Sequence, residues 1–446
     1  MTTAPDRIGG SVVGMDGHER AVLAAECEAA LRRDVLAVWF PRCLDSEHGG
    51  FFSEFDHAWR RCQPDHKLLE FQARQTWLAA RAMRAYPGEP TLRTAALHGF
   101  RYLRDVMWDA AQGGWFHRCT REGAPLEAET KHAHGIAYAI QACVAVHEAT
   151  GDAGALELAG RGFEWLEQHA HDHTYGGYHG YLTRGGMPIT DTGRNPLEPA
   201  EWDTIGTPVG VKDVNVHSDF VDALTDLYRA SGDTRHRARL EEVVAIVRDR
   251  TVAGNGAMHM YFAADWKPFP DLVRYGHEIQ SARRLARAQE LLGGSAEPTR
   301  RVVLLLVRHA TERAWDPTAG GFRYAGSAFG PVGIEGRLVV VPDKVWWVQA
   351  EALHTLLFMA VHEAEPAVDY LGYFRRQWRY IQGHLIDRVR HGWNHAGCDG
   401  RGWCLRIGRR ASASRKGHLW KDGSHEGLAL LGCVRLLRGL SEGAPL

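Results

Sequence analysis

The chain has 446 residues, is 45% hydrophobic and 24% charged, and sets 53 Lys and Arg against 54 Asp and Glu. That balance excludes the strong basic field with which proteins hold nucleic acid or anionic membranes, and favours a small, neutral partner. There is no low-complexity tract, no apolar run of about 18 residues and no signal-peptide pattern at the N-terminus, so a soluble, cytoplasmic protein is expected.

In chain order, residues 1–17 read as a flexible tail and 18–440 as one domain. A helix is predicted over 18–40, where Leu23, Cys27, Leu31, Val35, Val38 and Trp39 form one apolar stripe. The loop "DSEHGGFFSEFD" follows at 45, then a second helix over 66–86. This helix, loop, helix unit recurs. Loops of the form Asp, Gly-Gly, aromatic stand at 109 ("DAAQGGWFHRC"), 172 ("DHTYGGYHGYL") and 316 ("DPTAGGFRYAG"), with degenerate copies at 252 and 387. Helices are predicted before these loops over 90–108, 153–170, 234–251, 296–315 and 367–387, and after them over 130–150, 212–231, 273–292, 341–363 and 418–438. Six units fill the chain.

Several post-loop helices, such as "HGIAYAIQACVAV" and "VWWVQAEALHTLLFMAV", are apolar most of the way round and read as buried on more than one side. Six inner and six outer helices imply an all-α, closed (α/α)6 barrel, with a linear solenoid as the alternative. The Gly-Gly loops are expected to form short hairpins on one rim.

All the post-loop helices then begin on that rim, and their first turns gather polar residues: Arg74, His132 and His134, His217 and Asp219, His277, Trp346, Gln349 and Glu351, Trp420 and His425. Such a set suits a polar, neutral, ring-shaped ligand, with indole faces on sugar C–H groups and polar side chains on hydroxyls. Two histidines across a pocket suit proton transfer near neutral pH, here from the carbon beside a carbonyl, with Arg74 stabilising the enediolate oxygen. The eight cysteines, including Cys398 and Cys404, lack zinc-site spacing and read as packing thiols. Neither a metal nor a cofactor is expected.

With "QAR", "YGHEI", "WWVQAEA" and "WKDGSHEG" in this order, residues 18 to 438 resemble the N-acylglucosamine 2-epimerase family, more closely its cellobiose 2-epimerase and mannose-acting branches. The resemblance implies His277 and His425 as the acid/base pair, Arg74 as the oxyanion contact, and Trp346 and Trp420 as sugar-stacking residues. It also implies that His217 helps to bind or open the sugar, from an N-x-H-x-H-x-x-E-A pattern. Asp219, Glu278, Gln280, Gln349 and His134 complete the expected substrate contacts.

Three positions depart from the family pattern: Asp219 for the second histidine, Asp222 for the glutamate, and Gln280 for the glutamate three residues after His277. The loss of that charge should leave His277 less basic unless Glu278 or Asp219 restores it. The expected activity is 2-epimerisation of a free reducing-end aldose or disaccharide. Alternatives are an aldose-ketose isomerase, a non-catalytic sugar-binding homologue, and a glycoside hydrolase using Asp219, Asp222, Glu278 or Glu426. The insertion from Gly186 to Lys212 is expected to cover the rim. A monomer or homodimer is the default.

Overall fold

The computed structural model describes residues 14–40, 42–126, 128–190, 202–269, 272–327, 339–363, 368–397, 415–440 and 446. The expected tail falls almost wholly outside them. The first outer helix is α1 (Gly17–Leu31), continued through a π-turn (Arg32–Leu36) into α2 (Ala37–Trp39). The other outer helices are α4 (Pro90–Tyr102), α6 (Ala153–His169), α8 (Thr234–Arg250), α10 (Glu297–Ala314) and α12 (Tyr370–Tyr380). The inner helices are α3 (Leu69–Ala85), α5 (Ala133–Thr150), α7 (Val214–Ser231), α9 (Tyr275–Leu292), α11 (Trp346–His362) and α13 (Ser424–Arg438).

Each inner helix packs on the next, and α13 packs on α3, which closes the ring and rules out the linear solenoid. The outer helices α1, α4, α6, α8, α10 and α12 pack on α13, α3, α5, α7, α9 and α11 respectively. The pattern follows from composition. In α5 every residue from Ala133 to Val146 is buried, because the helix meets neighbours on all sides, whereas α6 buries only the stripe Ala155, Leu158, Ala159, Gly162, Phe163, Trp165 and Leu166.

All six inner helices start two to six residues later than their patterning predicts, and before four of them a short strand takes up the difference. Strands β1 (Lys67–Leu68), β3 (Thr130–His132), β5 (Lys212–Asp213) and β7 (Leu272–Arg274) each lead into an inner helix. The expected short hairpins form after the Gly-Gly loops, where Cys119, Leu182 and Phe262 bridge back to Pro125, Pro188 and Pro268, but these four strands do not close on their own loop. They pair antiparallel with β2 (Arg118–Cys119), β4 (Tyr181–Thr183), β6 (Tyr261–Phe262) and β8 (Ala325–Ser327), each from the following unit. β8 also pairs with β9 (Val339–Val341). The Phe55 amide donates to Gly417 O at 3.1 Å, which links the last unit to the first. Within a unit the Gly-Gly loop closes with a single bridge, as between Trp108 and Trp115 or His171 and Tyr178.

A buried lysine ties loop to helix. Lys212, two residues before α7, donates to Asp172 Oδ2 and Gly176 O, both at 2.7 Å. Lys67, Lys131 and Lys344 repeat this arrangement on Asp45 and Gly49, Asp109 and Gly113, and Asp316 and Gly320. Lys416 reaches Asp387 in the sixth unit. The fourth unit has Val273 at the lysine position and Ala253 where the docking aspartate of the other loops stands, in keeping with its degenerate sequence. The glycine pairs are required: Gly176 and Gly177 take positive φ values of 75° and 73°, a region that L side chains rarely enter.

Candidate active site

Counting from the first residue of each inner helix, the second and sixth positions turn toward the barrel axis and the fourth turns toward the outer layer, as the 3.6-residue period requires. The second and sixth residues are Glu70 and Arg74, His134 and Tyr138, Asn215 and Asp219, Gly276 and Gln280, Trp347 and Glu351, and His425 and Ala429. Arg74, Tyr138, Gln280, Glu351 and Ala429, all sixth-position residues, line one small axial cavity of about 30 Å³ together with His425.

This register sets three of the expected contacts apart from the residues that line the axial cavity. His217, Glu278 and Gln349 are fourth-position residues, each with 0% exposure. They grip the residue that follows the Gly-Gly turn of their own unit. His217 Nε2 accepts from the Tyr178 amide at 2.9 Å, while its Nδ1 donates to Asp213 O at 2.7 Å. Glu278 accepts from the Met258 amide at 3.0 Å and pairs with His309. Gln349 bonds both the amide and the carbonyl of Phe322, at 2.8 and 2.7 Å. Gln72 does the same for Phe51. With these groups engaged and enclosed, none of the three predicted residues reaches the axis, and Glu278 cannot restore charge beside His277.

The indole expected to stack on the ligand also changes. Trp346 is 3% exposed and packs on His395 and His418 at ring separations of 4.7 and 5.8 Å. Its neighbour Trp347 is part exposed and lies 5.0 Å from the His277 ring and 5.8 Å from the His425 ring. Glycine at 276 makes this possible, because a Cβ there would stand 2.4 Å from the Trp347 ring. Trp420 is part exposed, 6.4 Å from His134 and 6.0 Å from the Arg74 guanidinium.

The polar groups around these rings are ordered. His425 Nδ1 bonds Glu351 Oε1 at 2.8 Å, and the same carboxylate accepts from Gln280 Nε2 at 3.0 Å and Arg283 Nη2 at 3.0 Å. Burial works against the Glu351 charge, but His425 and Arg283 outweigh it and hold the group well below the usual carboxylate range. An ionised Glu351 fixes a proton on Nδ1 and leaves Nε2 of His425 for exchange. The His277 pKa is pushed down to about 3, chiefly by burial and then by Arg274, with Asp219 pulling the other way, so the ring is neutral at pH 7.

Arg74 Nε lies 2.9 Å from Asp422 Oδ2, and burial of its charge is outweighed by Asp422, Tyr138, Glu70 and Asp219. Its Nη2 is buried with no hydrogen-bond partner among the described residues, an uncommon condition for a guanidinium and one that a ligand oxygen would relieve. His134 is held by Glu70 at 2.9 Å on Nδ1 and by Asp219 at 2.8 Å on Nε2. Burial opposes its charge, but Asp219 and Glu70 raise its pKa to about 10, so it is a fixed imidazolium with both hydrogens committed. Asp219 also binds Arg284. The aspartate that replaces the expected histidine is therefore a bridge between two cations.

The described ends of the insertion are anchored at this rim. Asp203 accepts from His132 at 3.0 Å, and Thr207 donates to Asp213 at 2.9 Å. Residues 191–201 of that loop lie outside the described residues. Among the described residues no group of three or more His, Cys, Asp and Glu is placed to hold a metal, and no helix is long and apolar enough to cross a membrane. Cys27, Cys43, Cys119, Cys143 and Cys433 are buried thiols; Cys398 and Cys404 lie outside the described residues.

Fold and rim together define an (α/α)6 barrel whose axis is closed at one end by histidines, indoles and an arginine. The profile of the N-acylglucosamine 2-epimerase (GlcNAc 2-epimerase) family matches residues 50–149 and 194–402, well over half of the chain, and the chain belongs to that family. The cellobiose 2-epimerase of Bacteroides fragilis is 27% identical over 423 residues, which cover 93% of this chain and 99% of that protein. The structure of the cellobiose 2-epimerase from Spirochaeta thermophila superposes with a TM-score of 0.78 at 28% identity, covering 94% of this chain and 97% of that one. A D-mannose isomerase shares the fold, with a TM-score of 0.74 at 20% identity over 93% and 98% of the two chains.

Proposed function

We propose that this protein is an isomerase that interconverts the C2 epimers of a free reducing-end aldose or disaccharide. The observation that carries the reading is the pair of part-exposed imidazoles, His277 and His425, both packed against the Trp347 ring at 5.0 and 5.8 Å. One removes the C2 proton of the open-chain sugar, leaving an enediolate, and the other returns a proton to the opposite face of the same carbon. The oxygen charge that develops at C1 meets Arg74, whose Nη2 is uncommitted. Trp347 and Trp420 stack on the sugar. The imidazole that takes the C2 proton releases it to solvent and the one that returns a proton regains one from solvent, so the balance closes through water.

A neutral His277 can accept a proton, and the negative charge of the enediolate would raise its affinity for one. His425, held through Nδ1 by Glu351, presents Nε2. The hydrolase alternative loses support, because its four carboxylates are all buried and three of them are committed to ion pairs or hydrogen bonds. Asp219 and Asp222 are bound to Arg284, Glu278 faces the outer layer, and Glu426 is buried against Lys421. The test is product analysis with cellobiose, lactose, glucose and mannose: the epimer alone supports the proposal, whereas a ketose as the main product would make the enzyme an aldose-ketose isomerase.

A further inference from the structure

The ring of inner helices has a second mouth, at the C-terminal ends of α3, α7, α9, α11 and α13, opposite the rim that carries His277 and His425. It opens on a cavity of about 500 Å³, within the range of small-molecule sites and much larger than the axial cavity behind it. Five arginines line it, Arg81, Arg229, Arg283, Arg287 and Arg435, against three carboxylates, Asp222, Asp226 and Glu290. Trp77, Leu431 and Phe358 supply an apolar wall on one side.

We propose that this cavity binds a small organic polyanion, one carrying phosphate or several carboxylate groups on a short carbon skeleton. Guanidinium forks from four different helices match the flat, multidentate geometry of such anions, as surface lysines would not. The internal ion pairs position these forks. Asp226 holds Arg81 at 2.8 Å, Arg229 at 2.9 Å and also Arg287, while Asp222 holds Arg287 at 2.9 Å. Glu148 stands behind Arg81 and Arg229, Arg84 comes with it at 2.9 Å, and Glu351 takes Arg283, so among these described residues the arginines outnumber the carboxylates by one.

The cavity backs onto the histidine site, since Trp77, Asp222, Arg283 and Leu428 wall both spaces. Arg283 spends Nη2 on Glu351, while its buried Nε has no hydrogen-bond partner among the described residues. An anion on Arg283 would therefore lie one carboxylate away from His425.

The test is calorimetric titration of the full chain with inorganic pyrophosphate and, separately, citrate, each at ionic strength matched with sodium chloride. Saturable one-to-one binding is expected for pyrophosphate if phosphate is the recognised group and for citrate if carboxylates are. Arg435→Gln should weaken it at least about tenfold, equivalent to ~1.4 kcal/mol. Leu440→Glu, which adds a negative charge at the mouth without touching the ion-pair network, should do the same. No saturable binding of either anion, or undiminished binding by both variants, would overturn the proposal.

Discussion

Glu351 Oε1 lies 2.8 Å from Nδ1 of His425 and 3.0 Å from Nε2 of Gln280, the residue three positions after His277. One carboxylate thus braces the surroundings of both imidazoles. Glu351→Gln keeps the volume and one hydrogen bond but loses the charge that fixes the Nδ1 proton. Turnover should fall about a hundredfold or more, with KM changed much less. Steady-state kinetics on the variant would check this; a loss confined to KM would mean that Glu351 binds substrate rather than orienting His425.

The family resemblance gives His217 a role at the sugar, and the structure gives it the amide of Tyr178 instead. His217→Leu should cost stability, ~1–3 kcal/mol for a buried donor left unsatisfied, while the turnover of the remaining folded enzyme stays within about threefold of wild type. Urea unfolding paired with kinetics separates these effects. A hundredfold loss of turnover at unchanged stability would return His217 to the site.

His134 makes a pH-dependent contribution. Its folded pKa of about 10 stands above the ordinary histidine value. The stabilisation is fully present below about pH 6.5 and is lost as pH rises toward 10, with a slope of at most ~1.4 kcal/mol per pH unit. Its partners Glu70 and Asp219 are held below the usual carboxylate range, so their own loss falls at acid pH, outside this window. The stability difference between wild type and His134→Gln, measured by urea unfolding from pH 6 to 10, should therefore shrink with rising pH. A constant difference would show that His134 is not an imidazolium.

The lysine that docks each Gly-Gly loop gives a fourth expectation. Lys212→Met leaves Asp172 buried with its main partner gone, and should cost ~3–5 kcal/mol. Lys212→Met combined with Asp172→Leu should recover part of that loss. Unfolding measurements on the single and double variants test it, and equal destabilisation in both would mean that the lysine acts through the Gly176 and Ala264 carbonyls rather than through Asp172.

The ring of twelve helices was legible because its signals are periodic: six glycine loops, a striped outer set and an apolar inner set. The azimuth of each first turn was harder to read. His217, Glu278 and Gln349 sit within a few residues of the cavity-lining positions but on the opposite side of the helix, and a one-residue uncertainty in the helix start turns a side chain by about 100°. The short strands before the inner helices introduced just that uncertainty. Setting in register the four units whose lysine stands two residues before the inner helix would have placed Trp347 in the axial column rather than Trp346, with Glu351 one turn further on. The Asp422 contact to Arg74 and the Asp219 bridge between His134 and Arg284 join different units, and no local pattern announces them.

The central claim is that His277 and His425 move the C2 proton, and solvent exchange tests it most directly. Reducing sugars are incubated with the enzyme in deuterated buffer and followed by NMR at C2. The two-histidine mechanism predicts that the epimer formed carries deuterium at C2. It also predicts that His277→Asn and His425→Asn each lose at least about a hundredfold in turnover, with one of them still washing label from a single epimer. Turnover that leaves C2 unlabelled, or a near wild-type rate in either variant, would contradict the two-histidine mechanism.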